Sequence, residues 1–158
     1  MKLLSYLLAG CLYAGAAGAA VNVTVVDGDS LEMKNVRIRL EGIDSPEYYQ
    51  DCRLENKKKY ACGLDAKEYL QNLVDKGRVK CVEHDLDRYK RSLCTCYVTM
   101  PSGKKLNLNE EMVKAGWAVV YKSKYSDYSA AEAEARTEKR GIWQGKFMKP
   151  QLYRILNK

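Results

Sequence analysis

The segment from Val23 to Glu47, V-T-V-V-D-G-D-S-L-E-M-K-N-V-R-I-R-L-E-G-I-D-S-P-E, constrains the fold more than any other part of the chain. Apolar, β-branched residues alternate with polar ones in two runs, a period typical of strands that bury one face. Asp29, Asp44 and the terminal glutamate stand at the ends of these runs, and Arg39 lies inside the second. The pattern predicts a sheet that gathers three carboxylates and a guanidinium, which is the outline of a metal and phosphate site.

Spacing alone leaves simpler interpretations open. Asp27-Gly28 between β-branched residues is a hairpin-turn signal, since glycine supplies the positive φ that tight turns demand. Ser45-Pro46 can end a strand, in which case Asp44 and Glu47 are solvated loop charges.

Composition narrows the class of partner. The 158 residues are the length of one domain with a real core. With 27 Lys+Arg against 20 Asp+Glu, the formal charge is +7. A basic chain favours a polyanion, either nucleic acid or an anionic membrane surface. Beyond the N-terminus no apolar run is long enough to span a bilayer.

Residues 1–20 differ from the rest of the chain. After Lys2 comes an uncharged run rich in Leu, Ala and Gly, which predicts a cleaved signal peptide with A-G-A at residues 17–19 as the cleavage site. The alternative is L-A-G-C at residues 8–11, which resembles the lipobox of bacterial lipoproteins and would make Cys11 a lipidated first residue. Simple cleavage is favoured because the lipobox alternative shortens the apolar core. The mature domain is then residues 21–158.

Cysteine usage agrees with export. Removing the signal leaves Cys52, Cys62, Cys81, Cys94 and Cys96. A zinc site is the alternative, but the pairs lack C-x-x-C spacing and the chain has one histidine. Cys94 and Cys96 lie two apart on a predicted strand and share a face, so they should not bond each other. We predict Cys52–Cys62 and Cys81–Cys96 disulfides, with Cys94 as a buried thiol.

The mature chain reads as an α+β domain around a small barrel. Strand patterns cover residues 21–25, 30–34, 36–40, 79–84 and 92–99, the first three being consecutive antiparallel strands. Helix patterns cover residues 64–77, 107–116 and 129–140. Asn107 with Glu110, and Ser129 with Glu132, are spaced as helix caps and capping-box partners.

A charged segment, D-R-Y-K-R at residues 87–91, precedes the last strand pattern. By itself it predicts a solvated turn. Its Arg91, together with Arg39, nevertheless supplies two guanidinium forks, and such forks bind phosphate in bidentate fashion.

These strings, with N-L-N-E-E-M-V-K-A-G-W-A-V-V-Y and Y-S-A-A-E-A-E-A-R-T-E-K-R-G-I-W, resemble the staphylococcal nuclease (thermonuclease) family. They occur in that family's order, span essentially the whole mature chain, and resemble its exported, cysteine-containing bacterial members in particular. The resemblance implies a five-stranded OB-type β-barrel with three α-helices, as the element count also suggests.

The resemblance also implies a cation site. Asp29 and Asp44 match the carboxylates that hold one Ca²⁺, with Ser45 lending its backbone carbonyl. Glu47 matches the glutamate beside the attacking water, described as the general base.

Phosphate and nucleotide contacts follow in the same way. Arg39 and Arg91 match the pair that binds the scissile phosphate. Tyr89 matches a tyrosine of the nucleotide pocket, while Tyr121 and Tyr125 fall near two others without an unambiguous alignment.

The sequence departs from the family pattern at three positions. Ser45 and Ser30 stand where the family has threonine, which are mild changes. Lys90 stands where the family prefers glycine, in the turn that aims Arg91.

We therefore expect an exported, monomeric, Ca²⁺-dependent, sugar-nonspecific nuclease that cleaves DNA and RNA and leaves 3′-phosphate ends. It would be periplasmic or secreted, or lipid-anchored if Cys11 is acylated. A nucleic-acid-binding module that has lost catalysis is the main alternative. A membrane-surface protein that uses the lipobox and the basic charge is a third.

Overall fold

The computed structural model describes residues 22–157. The expected signal segment, including Cys11, lies outside the described residues. Within residues 22–157, none of the helices has the length and apolar character to cross a membrane.

The strands found in this part of the chain fall into one main sheet and two small ones. The main sheet contains β1 (Val23–Asp27), β2 (Ser30–Met33), β3 (Val36–Leu40), β7 (Arg78–Leu86), β8 (Ser92–Thr99) and β9 (Lys105–Asn107). The small sheets pair β4 (Ile43–Asp44) with β10 (Val119–Val120), and β5 (Cys52–Leu54) with β6 (Lys59–Tyr60) and β11 (Gly145–Lys146).

The main sheet confirms the strands expected from period-two patterning. Its order is β1-β2-β3-β8-β7, with β9 paired to β8. The first three strands are consecutive and antiparallel, as predicted. β3 then pairs in parallel with β8, so that Leu93 lies opposite Arg39. The sheet curls over one core, and the fold is α+β and OB-like.

Four α-helices accompany the sheet in the described chain: α1 (Cys62–Val74), α2 (Leu108–Lys114), α3 (Ser129–Thr137) and α4 (Pro150–Leu156), with a 3₁₀ turn at Gly141–Gln144. The expected count of three was therefore too low by one. The seven-residue α4 leaves Leu152, Ile155 and Leu156 46%, 59% and 62% exposed. A helix so short, without a buried apolar stripe, has no periodic signature in the sequence.

One of the two expected helix caps forms. Asn107 caps α2, its side-chain oxygen accepting from the backbone N–H groups of Asn109 at 3.1 Å and Glu110 at 3.3 Å. The cap expected at Ser129 is wrong, because that residue is already helical and donates its backbone N–H to the Asp127 carboxylate at 2.9 Å. The carboxylate of Glu132 instead accepts from the backbone N–H of Val120 at 2.8 Å.

The core lies between the concave face of the sheet and the helices α1 and α2. It contains Val25, Leu31, Ile38, Leu40, Ile43, Ala66, Leu70, Leu73, Val98, Leu108, Met112 and Val113. Asn109 is fully buried among them: it accepts from the backbone N–H of Cys96 at 3.0 Å and donates to the carbonyls of Glu41 at 2.8 Å and Cys94 at 3.0 Å. These bonds fix the loop between β3 and β4 to β8, and that loop leads directly to the candidate site.

Two disulfides, Cys52–Cys62 and Cys81–Cys96, join the cysteines expected from the sequence. Cys81 and Cys96 face each other across β7 and β8, and Cys94 is a buried thiol. Two disulfides in a small domain indicate an oxidising, non-cytoplasmic location.

Candidate active site

Asp29, Arg39 and Asp44 converge from three places: the turn between β1 and β2, the end of β3 and the end of β4. Nη1 of Arg39 donates to Oδ1 of Asp29 at 2.6 Å, and Nη2 donates to Oδ1 of Asp44 at 2.8 Å. The side chain of Arg39 is 14% exposed, and those of Asp29 and Asp44 are 3% and 2% exposed. Arg39 also donates to the carbonyl of Ile43 at 3.3 Å. Two buried carboxylates are therefore bridged by one guanidinium, which is how such charges are tolerated away from water.

The turn at Gly28 brings Asp29 against Ser45. Oδ2 of Asp29 accepts from the backbone N–H of Ser45 at 2.9 Å, and Oγ of Ser45 donates to the carbonyl of Trp117 at 2.7 Å. A Cβ at Gly28 would lie 2.1 Å from Oγ of Ser45 and 2.9 Å from Cβ of Ala66. The hairpin forms as expected, but the positive φ does not, since Gly28 is not among the residues with positive φ. Glycine is needed here for close approach rather than for an unusual backbone angle.

Burial dominates the protonation of Asp29. Desolvation raises its pKa to about 7, against the lowering effect of Arg39, and the neighbouring charges of Asp27 and Asp44 raise it further. Oγ of Ser30 donates to Oδ1 of Asp29 at 3.0 Å. The carboxylates carry more negative charge than Arg39 alone offsets, which is the electrostatic setting that attracts a cation.

Glu47 joins this cluster through a residue that the sequence did not reveal. Nη1 of Arg154 lies 2.7 Å from Oε1 of Glu47 and 3.0 Å from Oδ1 of Asp44, and Nη2 donates to Oδ2 of Asp44 at 3.1 Å. Arg154 belongs to α4 and comes 110 residues after Asp44. A lone arginine in an unpredicted helix carries no motif, so no sequence signal could have found it.

Gln50 fixes the backbone around Glu47. Gln50 is fully buried, and its side-chain Oε1 accepts from the backbone N–H of Glu47 at 3.3 Å. The backbone N–H of Gln50 donates to the Glu47 carbonyl at 2.8 Å. Nε2 of Gln50 donates to the carbonyl of Met148, just before α4, at 2.7 Å. The Tyr153 hydroxyl reaches the Tyr49 carbonyl at 3.3 Å. The loop that carries Glu47 and the helix that carries Arg154 are thus joined by hydrogen bonds.

Arg91 enters β8 from a tight turn and does not contact the carboxylate cluster. Its Nε donates to Oδ2 of Asp87 at 2.7 Å, and Oδ1 of Asp87 accepts from the backbone N–H groups of Tyr89 at 2.8 Å and Arg91 at 2.9 Å. Lys90, where glycine was the expected type, adopts φ of 61° and keeps the turn. Within residues 22–157 the terminal nitrogens of Arg91 make no hydrogen bond, so both are available to an anion.

The three candidate tyrosines lie in the turn before β8 and in the segment after β10, and they are exposed to different extents. Tyr89, Tyr121 and Tyr125 are 61%, 43% and 39% exposed. Tyr125 stacks on His84 with ring centroids 4.8 Å apart, and His84 in turn contacts Oγ1 of Thr95 at 2.8 Å. Of the three, Tyr125 borders a cavity of about 330 Å³ whose other lining residues are Glu41, Asp85, Leu93, Lys122, Ser123 and Lys124.

The donors at the cluster fit a hard cation. Asp29 and Asp44 offer carboxylate oxygens and Ser45 a backbone carbonyl, and hard ions such as Ca²⁺ prefer oxygen ligands of this kind. No group of three or more His, Cys, Asp or Glu side chains forms a ready cage within the described chain. A cation held here would therefore complete its coordination with water or substrate oxygen.

Most of the chain is similar to one family of known proteins. The family described as "Staphylococcal nuclease homologue" matches residues 37–145. The chain belongs to the staphylococcal nuclease family.

Its relatives within the curated proteins carry different names. An "Uncharacterized endonuclease" of Escherichia coli O157:H7 is 37% identical over 127 residues, covering 77% of this chain and 74% of that protein. A "Micrococcal nuclease" of Shigella flexneri is 32% identical over 133 residues, covering 77% and 71%. A "Succinoglycan biosynthesis protein ExoI" of Rhizobium meliloti (strain 1021) is 31% identical over 143 residues, covering 87% and 73%.

The segment matched to the staphylococcal nuclease family contains Arg39, Asp44, Glu47 and Arg91. It ends before α4, so Arg154 lies outside it. The contact of Arg154 with the cluster is consequently a feature of this chain that the family match does not describe.

Proposed function

We propose that this protein is a calcium-dependent, sugar-nonspecific endonuclease that hydrolyses phosphodiester bonds of DNA and RNA. The observation that carries the proposal is the cluster itself, in which Asp29, Arg39 and Asp44 meet with Glu47 beside them. Membership in the staphylococcal nuclease family and the endonuclease names of relatives support the same activity.

Phosphodiester hydrolysis demands concentrated positive charge. The substrate is already an anion, and its five-coordinate transition state gains further negative charge. Arg39 spends three of the five N–H donors of a guanidinium on Asp29, Asp44 and Ile43, which leaves donors for a phosphate oxygen. Arg91 leaves both terminal nitrogens to the substrate. We assign these two arginines to the scissile phosphate.

Asp29, Asp44 and the Ser45 carbonyl would hold one Ca²⁺. When bound, the ion supplies charge neutralisation at the phosphate and its transition state. The chain's own part is to present buried oxygens, with Gly28 allowing the Asp29 turn to approach Ser45.

Glu47 is assigned to the attacking water. It is about one-third exposed, and its Oε1 is held by Arg154 while Oε2 makes no hydrogen bond within residues 22–157. Oε2 can therefore orient a water and accept its proton. The oxygen of that water bonds to phosphorus, and the bond to the 5′ oxygen breaks, leaving a 3′-phosphate. The 5′ oxygen takes its proton from solvent, since arginine is a poor proton donor.

Tyr89, Tyr121 and Tyr125 are assigned to nucleotide contacts. Exposed aromatic rings stack on bases of any sequence, which suits a nuclease without strict specificity. The guanidinium of Arg91 lies over the Tyr89 ring, with Cζ of Arg91 5.7 Å from the ring centroid. A base on Tyr89 would thus sit next to the phosphate held by Arg91.

We further propose that residues 1–20 direct export and that residues 21–158 are the mature, monomeric enzyme, periplasmic or secreted. The two disulfides support an oxidising destination. Acylation at Cys11 is the alternative. Mass spectrometry of the exported product distinguishes a free N-terminus near residue 21 from a lipid-modified Cys11.

The activity is tested by incubating residues 21–158 with plasmid DNA and with RNA in Ca²⁺, in Mg²⁺ and in chelator. We expect cleavage in Ca²⁺ alone, and oligonucleotide products whose masses place the phosphate at the 3′ end. Arg91→Ala should lower the rate about 10²–10³-fold, the usual effect of losing one transition-state donor. The matched control is Arg88→Ala, because Arg88 is exposed and packs over the same Tyr89 ring, 4.8 Å from its centroid.

Glu47→Gln should likewise reduce turnover in saturating Ca²⁺ without abolishing DNA binding. Turnover within a few-fold of the parent would remove Glu47 from the mechanism. Binding of DNA without cutting in all three conditions would instead assign the protein to the non-catalytic interaction modules of the same fold.

A further inference from the structure

Arg154 makes more contacts with the candidate site than its position near the end of the chain suggests. One guanidinium binds both carboxylate oxygens of Asp44 and one of Glu47, over 2.7–3.1 Å. The Arg154 side chain is 35% exposed, whereas Asp44 is 2% exposed. It therefore covers Asp44 from the solvent side, which is the side from which a cation would enter.

Charge balance sets Arg154 apart from Arg39. Asp29, Asp44 and Glu47 are three carboxylates, and the two arginines leave the cluster one negative charge in excess when all three are ionised. A divalent cation would turn this into one excess positive charge. Release of Arg154 would restore neutrality, whereas Arg39 is 14% exposed and is fixed between Asp29 and Asp44.

The attachment of α4 suits such a release. Leu152, Ile155 and Leu156 of α4 are exposed, while Pro150 at its start is buried. The helix is joined to the Asp44–Gln50 loop by the Arg154 ion pairs and by the bond from Tyr153 to Tyr49, and the bond from Gln50 to Met148 holds the segment just before it. Ion pairs and hydrogen bonds of partly exposed groups exchange readily with water. Arg154 can thus leave Asp44 without opening the core.

We propose that Arg154 is a further residue of the active site, which neutralises Asp44 and Glu47 before a cation binds and gives up Asp44 to the cation. The inference rests on the proposed cation site at Asp29 and Asp44. Its consequence is that Arg154 lowers the apparent cation affinity. If the pair with Asp44 is formed about nine-tenths of the time, the apparent Kd is raised about tenfold.

The test is calorimetric titration of Ca²⁺ into residues 21–158, without substrate. Arg154→Met removes the charge but keeps an apolar stem, and we expect it to bind Ca²⁺ about tenfold more tightly than the parent. Arg154→Lys keeps the charge without the planar fork and should fall between the two. Lys149→Ala is the matched control, since it removes an exposed positive charge next to α4 whose side chain makes no hydrogen bond or ion pair within residues 22–157, and its affinity should equal that of the parent.

Urea unfolding supplies a second reading of the same coupling. Arg154→Met should be less stable than the parent in chelator, because Asp44 and Glu47 lose a partner, and this deficit should shrink in saturating Ca²⁺. Thermodynamic linkage requires the shrinkage to match the gain in affinity. This comparison also shows directly that the variant is folded.

The outcomes separate the two proposals. Equal or weaker Ca²⁺ binding by Arg154→Met, beside measurable binding by the parent, would overturn the role of Arg154 and leave the cation site in place. Absence of Ca²⁺ binding in parent and variant alike would overturn both. Binding by Arg154→Met that the parent lacks would support the role of Arg154 strongly.

Discussion

Arg39→Met removes the guanidinium that bridges two buried carboxylates, and the contacts of Arg39 set how far the free energy of unfolding should fall. Removing one partner of a buried ion pair costs about 3–5 kcal/mol, because the other charge is left uncompensated. We expect the lower end of this range, about 3 kcal/mol, for two reasons. Arg154 still pairs with Asp44 at 3.0 Å, and Asp29, whose pKa burial already raises to about 7, can take up a proton.

The measurement is urea unfolding of residues 21–158 in chelator at neutral pH. Arg136→Met is the matched control: Arg136 is 53% exposed and pairs with Glu132 along α3, so its loss should change the free energy of unfolding by less than about 0.5 kcal/mol. A change below about 1 kcal/mol in Arg39→Met, with an unaltered urea dependence, would refute the reasoning, because one or both carboxylates would then be solvated.

A second substitution sharpens this prediction. Adding Asp29→Asn to Arg39→Met removes the carboxylate that the first change leaves without a cation. The double variant should therefore be more stable than the sum of the two single changes implies, with a coupling of about 1–3 kcal/mol. Strict additivity would mean that Asp29 and Arg39 do not interact.

Three further outcomes follow from other parts of the chain. Lys90→Gly should raise the free energy of unfolding by about 0.5–1 kcal/mol, since a lysine at φ of 61° is strained and glycine is not; urea unfolding checks this, and a loss of stability would contradict it. Desolvation raises the pKa of Asp87, but hydrogen bonds from Arg91 and Tyr89 outweigh it, so the pKa in the folded state lies below 3.8. The stabilisation that Asp87 contributes is therefore present above pH 3.8 and is lost as the pH falls through the folded-state pKa. Asp87→Asn should therefore cost about 1 kcal/mol at pH 7 and almost nothing at the acid end of this window, and a deficit independent of pH would sink the idea. Burial raises the pKa of Cys94 to about 11, with Glu83 adding to the effect, so its thiol should resist alkylation in the folded protein; after denaturation without reductant, mass spectrometry should find one alkylated thiol per mature chain, and any larger number would be incompatible with the disulfides.

Most of the fold could be predicted from local patterns in the sequence. The strands β1, β2, β3, β7 and β8 show in the sequence as alternating runs, because a sheet with one buried face imposes period two on its residues. The Asn107 cap shows for a similar reason, since its bonds reach only two and three residues along the chain. The failure at this level was local as well: the Asp127 carboxylate accepts from the backbone N–H of Ser129, so Ser129 is the first helical residue and Tyr128 precedes it at the N-cap position.

The residue types of the site were also visible in the sequence, but their partners were not. Asp29, Arg39 and Asp44 stand out by type and spacing, whereas their bonding depends on how a turn, a strand end and a loop fold against one another. Gly28 illustrates the difference. Its dipeptide predicts a turn, but the reason that glycine is required is the approach of Ser45, 17 residues later in the chain.

The strands, the family resemblance and the charged residues of a phosphate and cation site follow from the sequence. The contacts of Arg154 with Asp44 and Glu47, and the bonds by which Gln50 fixes the Glu47 loop to the segment before α4, follow from the tertiary structure. The difference arises from how far apart along the chain the interacting residues lie. Periodicity and caps arise between near neighbours and leave a repeating mark, but a contact across 110 residues depends on where every intervening element packs, and one arginine in a seven-residue helix leaves no pattern at all.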